Sequence, residues 1–223
     1  MAKLVWDQTG HRDIEAGVSE VALFVMENGV YQDGVAWSGV TAINENPSGA
    51  DVTDLYADNM KYASLRAAEK FGFTIEAYQY PPEWAECDGS AESSAAPGVF
   101  LGQQNRKAFG LVYKTQIGDD THPSLDKGYK LHIIYNSTAS PSSRGYTTIN
   151  ENPDAITFSW EASSTPEAVT GYKNCSTIVI DSTKANATKL AALEKKIYGD
   201  TSSSPTLPTP DTIISDLTPP SSP

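Results

Sequence analysis

The chain has 223 residues, 39% of them hydrophobic, and a formal net charge of −12. That suffices for one domain with a sizeable core and is too apolar for a disordered chain, while so acidic a surface repels phosphate backbones and disfavours a conventional nucleic-acid binder. No run approaches the roughly 18 apolar residues that span a bilayer, and residues 1–7 lack the apolar core of a signal peptide, so a soluble protein made in a cytoplasm with no membrane partner is expected.

Runs rich in β-branched and aromatic residues predict strands at 18–26, 35–43, 71–80, 107–116, 130–135, 155–161 and 176–180. Turn clusters separate several of them, such as Glu27-Asn28-Gly29, Gln32-Asp33-Gly34 and Ile117-Gly118-Asp119-Asp120. Two segments alternate with period two. Thr74, Glu76 and Tyr78 oppose Phe73, Ile75 and Ala77; Thr157, Ser159 and Glu161 oppose Ile156, Phe158 and Trp160. Strands of that kind keep one face in a core and the other in water. The acidic stretch 48–59 lacks the glycine and terminal glutamate of an EF-hand loop, and predicts a long exposed hairpin or loop suited to contact with another subunit.

Helix is expected in two places. Residues 81–86 begin with two prolines followed by acids, a favourable helix start. Residues 185–198 place Leu190, Leu193 and Ile197 on one stripe, with Lys195 and Lys196 in the last turn and Gly199 after it. The fold class that follows is mainly β: two packed antiparallel sheets, a sandwich or partial barrel, with a short flanking helix and a C-terminal helix. The domain is expected to span 1–199. Residues 200–223, rich in Ser, Thr and Pro, are expected to form an extended tail whose apolar island, Ile213, Ile214 and Leu217, either docks on a neighbour or stays disordered. Residues 41–47, Thr-Ala-Ile-Asn-Glu-Asn-Pro, recur with one change at 147–153; this is either shared turn chemistry or the trace of a duplicated β unit.

Signatures of catalysis are missing. The sequence has no Gly-rich phosphate loop, no Gly-x-Ser-x-Gly elbow and no His-Glu-x-x-His. His11, His122 and His132 sit in unrelated contexts, and Cys87 and Cys175 are expected to be separate reduced thiols. Glu83, Glu86 and Asp88 around Trp84 read as helix-start acids more readily than as paired catalytic carboxylates. No enzymatic activity, metal or cofactor is expected.

Several stretches together carry a resemblance. They are Leu4-Val5-Trp6-Asp7, the run from Gly34 to Thr41, the run from Leu55 to Tyr62, Thr74-Ile75-Glu76-Ala77-Tyr78, Glu86-Cys87-Asp88-Gly89-Ser90, the run from Gly102 to Lys107, the run from Ala155 to Glu161, and the helix around Leu190. In order and spacing the chain resembles the major tail tube proteins of long, non-contractile-tailed bacteriophages, those of Gram-positive hosts in particular. The resemblance implies a structural virion protein, synthesised in the host cytoplasm, whose copies form hexameric rings that stack into a tube for DNA ejection. It also implies the tape measure, tail terminator and distal tail proteins as further partners. The hairpin reaching the next ring would span about 44–62, with Asn44, Asp51, Asp54, Asp58 and Tyr62 at the contact. Glu76 and Glu161, on the polar faces of the alternating strands, are candidates for a lumen wall past which DNA moves without specific binding. Competing readings are a head-decoration protein or tail terminator and, from another class, a carbohydrate-binding β-sandwich using Trp37, Trp84 and Tyr80.

Overall fold

The structure, a computed structural model, describes residues 3–149 and 155–219. The elements run in chain order as β1 (Ile14–Glu27), β2 (Val30–Tyr31), β3 (Val35–Ala36), β4 (Val40–Glu45), β5 (Ser48–Gly49), β6 (Val52–Ala57), β7 (Met60–Arg66) and β8 (Glu69–Ala77). There follow α1 (Trp84–Asp88), β9 (Ala91–Glu92), β10 (Phe100–Leu101), β11 (Phe109–Gly118), β12 (Gly128–Ala139), β13 (Phe158–Ser164), β14 (Thr177–Asp181), α2 (Ala187–Tyr198) and α3 (Pro210–Leu217).

The mainly β, antiparallel architecture is as expected, and its two layers are joined. Among the described residues, ten strands form one sheet along the path β2-β1-β11-β12-β13-β8-β4, with β3 added to β1, β14 to β12 and β5 to β8. The turn between layers is made by β12. Its residues 130–134 pair with β14, and beyond the left-handed Asn136 (φ 42°) its residues 137–139 pair with β13. The sheet therefore doubles over, and the faces brought together are apolar. Leu23 and Val25 of β1, with Phe109, Leu111 and Tyr113 of β11, meet Phe73 and Ile75 of β8 and Trp160 of β13.

This inner core is unusually aromatic. Trp37, Trp84 and Trp160 come together with ring centroids 4.7, 5.4 and 5.6 Å apart, and Phe109 lies 4.9 Å from Trp84. Rings at these separations and tilts add dispersion and quadrupole attraction to the area that they bury. Trp37 also explains why the strand expected at 35–43 is interrupted. Its indole turns inward, Nε1 donating to the Gln79 carbonyl at 2.8 Å, and the chain re-enters the sheet after the left-handed Gly39 (φ 83°).

A second apolar layer covers the opposite face of β1, β11, β12 and β14, where Phe24, Val112, Leu131, Ile133, Tyr135 and Ile180 are roofed by Leu190, Leu193 and Ile197 of α2. Asn186 caps that helix, accepting from Lys189 N at 3.1 Å. The polar rim between β11 and α2 is held by Lys114, whose Nζ lies 2.8 Å from Glu20, 3.0 Å from Glu194 and 4.6 Å from the Tyr129 ring centre.

The extended tail expected from 200 onward requires correction. Through residue 219 the segment folds back on its own chain. Leu207, Pro210 and Ile213 are buried, and Leu207 and Ile213 belong to the second core. Thr209 caps α3 and Pro210 sits in its first turn, where a missing N–H costs nothing. Backbone and ion-pair contacts pin the path: Gly34 N donates to Pro205 O (3.0 Å), Thr206 N to Lys196 O (2.8 Å), Tyr135 Oη to Pro208 O (3.0 Å), and Lys196 pairs with Asp216 (2.6 Å). The described part of 200–223 thus belongs to the domain. Of the repeated heptad, the first copy closes β4; in the second, residues 147–149 lie in no strand and 150–153 fall outside the described residues.

Candidate assembly surface

From β4 onward the chain forms one long two-stranded ribbon. Val40 pairs with Ala77 and Glu45 with Phe73; further out Ser48 pairs with Lys70, Ala67 N donates to Asp51 O at 2.9 Å, and Val52 faces Arg66. The inner half lies in the main sheet and packs its Ile75 face on the core. The outer half, β6 with β7, pairs with no other strand among the described residues.

The sequence of this outer half dictates its shape. Asp58 and Asn59 both adopt left-handed backbone (φ 51° and 60°), the two-residue hairpin turn whose twist matches that of its flanking strands. A bulge places Tyr62 as an extra residue between the Leu55–Ala63 and Tyr56–Lys61 pairs. At the root, Gly49 (φ 85°) and Ala50 (φ 57°) bend the ribbon, and a Cβ on Gly49 would stand 2.7 Å from Ala68 O. Asp54 ties the strands together by accepting from Ser64 Oγ (2.6 Å) and pairing with Lys61 (2.8 Å); those partners hold its carboxyl below the usual carboxylate range.

Among the described residues, β6 and β7 contain no buried side chain. Leu55 and Tyr56 are sequence neighbours, so their side chains point to opposite faces, yet both are exposed. Tyr56 and Met60 are each 70% exposed and Tyr62 is 78% exposed. A lone two-stranded hairpin is marginal in water, and fully burying one large apolar side chain is worth about 1.5–3 kcal/mol. Among the described residues the arm's large apolar side chains therefore stay in contact with solvent.

The expected contact residues divide between two places. Asp51, Asp54, Asp58 and Tyr62 lie on the arm or its root. Asn44 does not: it sits in β4 within the main sheet, opposite Thr74, with Nδ2 3.5 Å from Glu76 Oε1. The expected span 44–62 began too early and ended too soon, because β4 is held by the core and β7 runs on to Arg66.

Glu76 and Glu161 share one face. Glu161 is opposite Thr74 and Ser159 opposite Glu76 in the β13–β8 ladder, and β4 adds Ala42 and Asn44 beside them. This face turns away from the aromatic core. Its six side chains include two carboxylates and no cation; Lys70 follows farther out, near the arm's root. Beyond β8, β4 ends the sheet path and leaves one strand edge unpaired among the described residues, as β14 does beside β12.

The described residues hold no cluster of three metal-ligating side chains. Both cysteines are free; burial raises the Cys87 thiol to about 12 and pushes that of Cys175 up as well. Two of the three aromatics expected for sugar binding, Trp37 and Trp84, are core residues, and Tyr80 packs edge-on against Phe158 and Trp160. Sequence reasoning missed an exposed apolar patch at Val99, Phe100 and Leu101, a run too short to register as more than a strand fragment. No protein-family model matches the chain, and a search of the curated proteins finds no match.

Proposed function

We propose that this protein is a self-assembling structural subunit, and specifically a tail tube protein of a long, non-contractile-tailed bacteriophage. One observation carries the reading: the β6–β7 arm continues the β4–β8 ribbon into solvent with large apolar side chains exposed on both faces and, among the described residues, no core beneath it. Six residues of strand beyond the root reach about 20 Å, enough to cross onto a neighbouring molecule. An arm on one surface that fits a different surface of the next copy makes a heterologous contact, which builds filaments when it does not close.

The unpaired edges of β4 and β14 support a second, lateral contact, in which sheets of adjacent subunits join into a ring with no exposed border. In that arrangement the Glu76–Glu161 face lines the channel. A wall with carboxylates and few cations offers no counterion-releasing contacts to phosphate, so DNA passes without adhering. Tape measure, terminator and distal tail proteins are the partners this role requires, and the virion is its location.

Negative-stain electron microscopy of the concentrated protein tests the reading. Hollow tubes built of stacked rings are expected. Isolated particles at every concentration, or closed shells without a channel, would contradict it.

A further inference from the structure

Beside α1 two openings of about 540 and 340 Å³ adjoin, sharing Asp88, Ser90 and Arg144. One half of this groove is apolar, lined by Tyr80, Pro82, Ala85 and Phe100. The other half is cationic. Arg106 Nη2 donates to the Asp88 carbonyl at 2.9 Å while its buried Nε has no acceptor, and Arg144 pairs with the Asp88 carboxylate and lies 5.9 Å from the Tyr80 ring centre. Arg106 and Arg144 against the single carboxylate of Asp88 leave this lining net positive in a chain of net charge −12.

The same chain carries a segment of opposite character. Leu4, Val5 and Trp6 are all exposed, Trp6 at 73%, and Asp7 follows them in a left-handed bend (φ 55°). We propose that residues 4–7 of one copy seat in the groove of a second copy, with the Trp6 indole in the apolar half and the Asp7 carboxylate on Arg144.

Geometry rules out a chain filling its own groove. The segment enters the body where Ile14 pairs with Gly118, and it is fastened there: Gly10 N donates to Asp120 Oδ1 (2.9 Å), Lys127 Nζ to Gly10 O (3.2 Å), and Lys127 pairs with Asp13 (2.5 Å). The groove lies at the other end of that ladder, where Val25 pairs with Phe109 and Lys107 N donates to Glu86 O (3.0 Å). β11 separates the two ends by about 30 Å at 3.3 Å per residue. Trp6, four residues before the fastened Gly10, reaches about 14 Å. Donor segment and acceptor groove therefore sit at opposite ends of one molecule, which makes the contact head-to-tail and open-ended. It is a contact separate from that of the arm.

Tryptophan fluorescence of the full chain reads it directly, because Trp37, Trp84 and Trp160 are buried and Trp6 alone is open to acrylamide. The quenchable signal is expected to fall as concentration rises and sedimentation shows association. Asp7→Arg and Arg144→Asp are each expected to weaken association at least about tenfold, and their combination to recover it to within about threefold. Trp6→Ala is expected to weaken it by at least about tenfold. Unchanged association in Trp6→Ala, or a combined variant weaker than either single one, overturns the contact. Tubes that form with Trp6 still fully quenchable overturn it and leave the tube reading standing. Protected Trp6 in assemblies that are not tubes upholds the contact without that reading.

Discussion

Leu207 lies directly on Gly110: a Cβ built on that glycine would stand 2.3 Å from Leu207 Cδ2. The contact places the C-terminal segment in a slot that β11 leaves open by having no side chain at that position. Leu207→Ala is expected to cost about 2–4 kcal/mol and Gly110→Ala about 1–3 kcal/mol by overpacking. Because the two changes relieve one another, the double variant should be more stable than their sum by about 1 kcal/mol. Urea unfolding of the three variants checks this; strict additivity would show that the two positions do not meet.

Lys114 is a nearly buried cation bridging Glu20 on β1 and Glu194 on α2. Burial lowers its pKa, and the two carboxylates outweigh that and raise it. Lys114→Met leaves Glu194 facing a half-closed site without its partner, with an expected cost of about 1–3 kcal/mol. Thermal unfolding measures the loss, and Glu194→Gln in the same background should restore part of it.

His132 stacks on Tyr113 at 4.5 Å, with Nε2 3.0 Å from Thr115 Oγ1 and 3.4 Å from Glu15 Oε1. Burial drives its pKa below the ordinary 6.5, against the pull of Glu15 and Glu45. The folded state thus binds a proton less readily than the unfolded one, so stability is complete above pH 6.5 and declines as pH falls below it. Glu15 acts at lower pH. Burial opposes its ionised form, but Lys130 and Thr115 hold its pKa under 4.5, and its contribution is lost only as pH falls below that value. His132→Gln should flatten the stability profile between pH 6.5 and 4.5, read as urea midpoints. An unchanged slope would assign that range to other groups.

Glu76 and Glu161 face away from both cores, so their replacement by lysine should leave the folded subunit within about 0.5 kcal/mol of wild type. Assembled material carrying both changes is expected to retain duplex DNA at low salt and release it as salt rises; wild-type assemblies should retain none. Retention by neither would remove the two carboxylates from the channel wall.

Local pattern and topology were unequally legible in the sequence. Alternation around Ile75 and Trp160 gave the inward faces of both strands, because a period of two is a local property of a half-buried strand, although the second begins at Phe158, later than the expected 155, and runs on to Ser164. The stripe of Leu190, Leu193 and Ile197 gave α2 for the same kind of reason. The polar run at 48–59 signalled a hairpin, and its outer limit was obscured because β7 alternates without any buried member to mark a face. Composition misled at the C-terminus. A Ser/Thr/Pro segment is ordered there by a few anchors, Leu207, Pro210 and Ile213, and the core that Leu207 and Ile213 join is assembled from residues as distant in sequence as Phe24 and Val112. Nor does any local signal announce that Trp37, Trp84 and Trp160 converge, or that β12 carries the sheet from one layer into the other.

The arm offers the most direct test of the whole account. Residues 52–66 are replaced by a short turn joining Asp51 to Ala67, and assembly of the purified full-length protein is followed by sedimentation and microscopy beside the wild type. The altered chain is expected to unfold within about 1 kcal/mol of wild type, since β6 and β7 hold no buried side chain among the described residues, and to form no filaments longer than a single ring. Tubes of wild-type length from the arm-less chain would contradict the account.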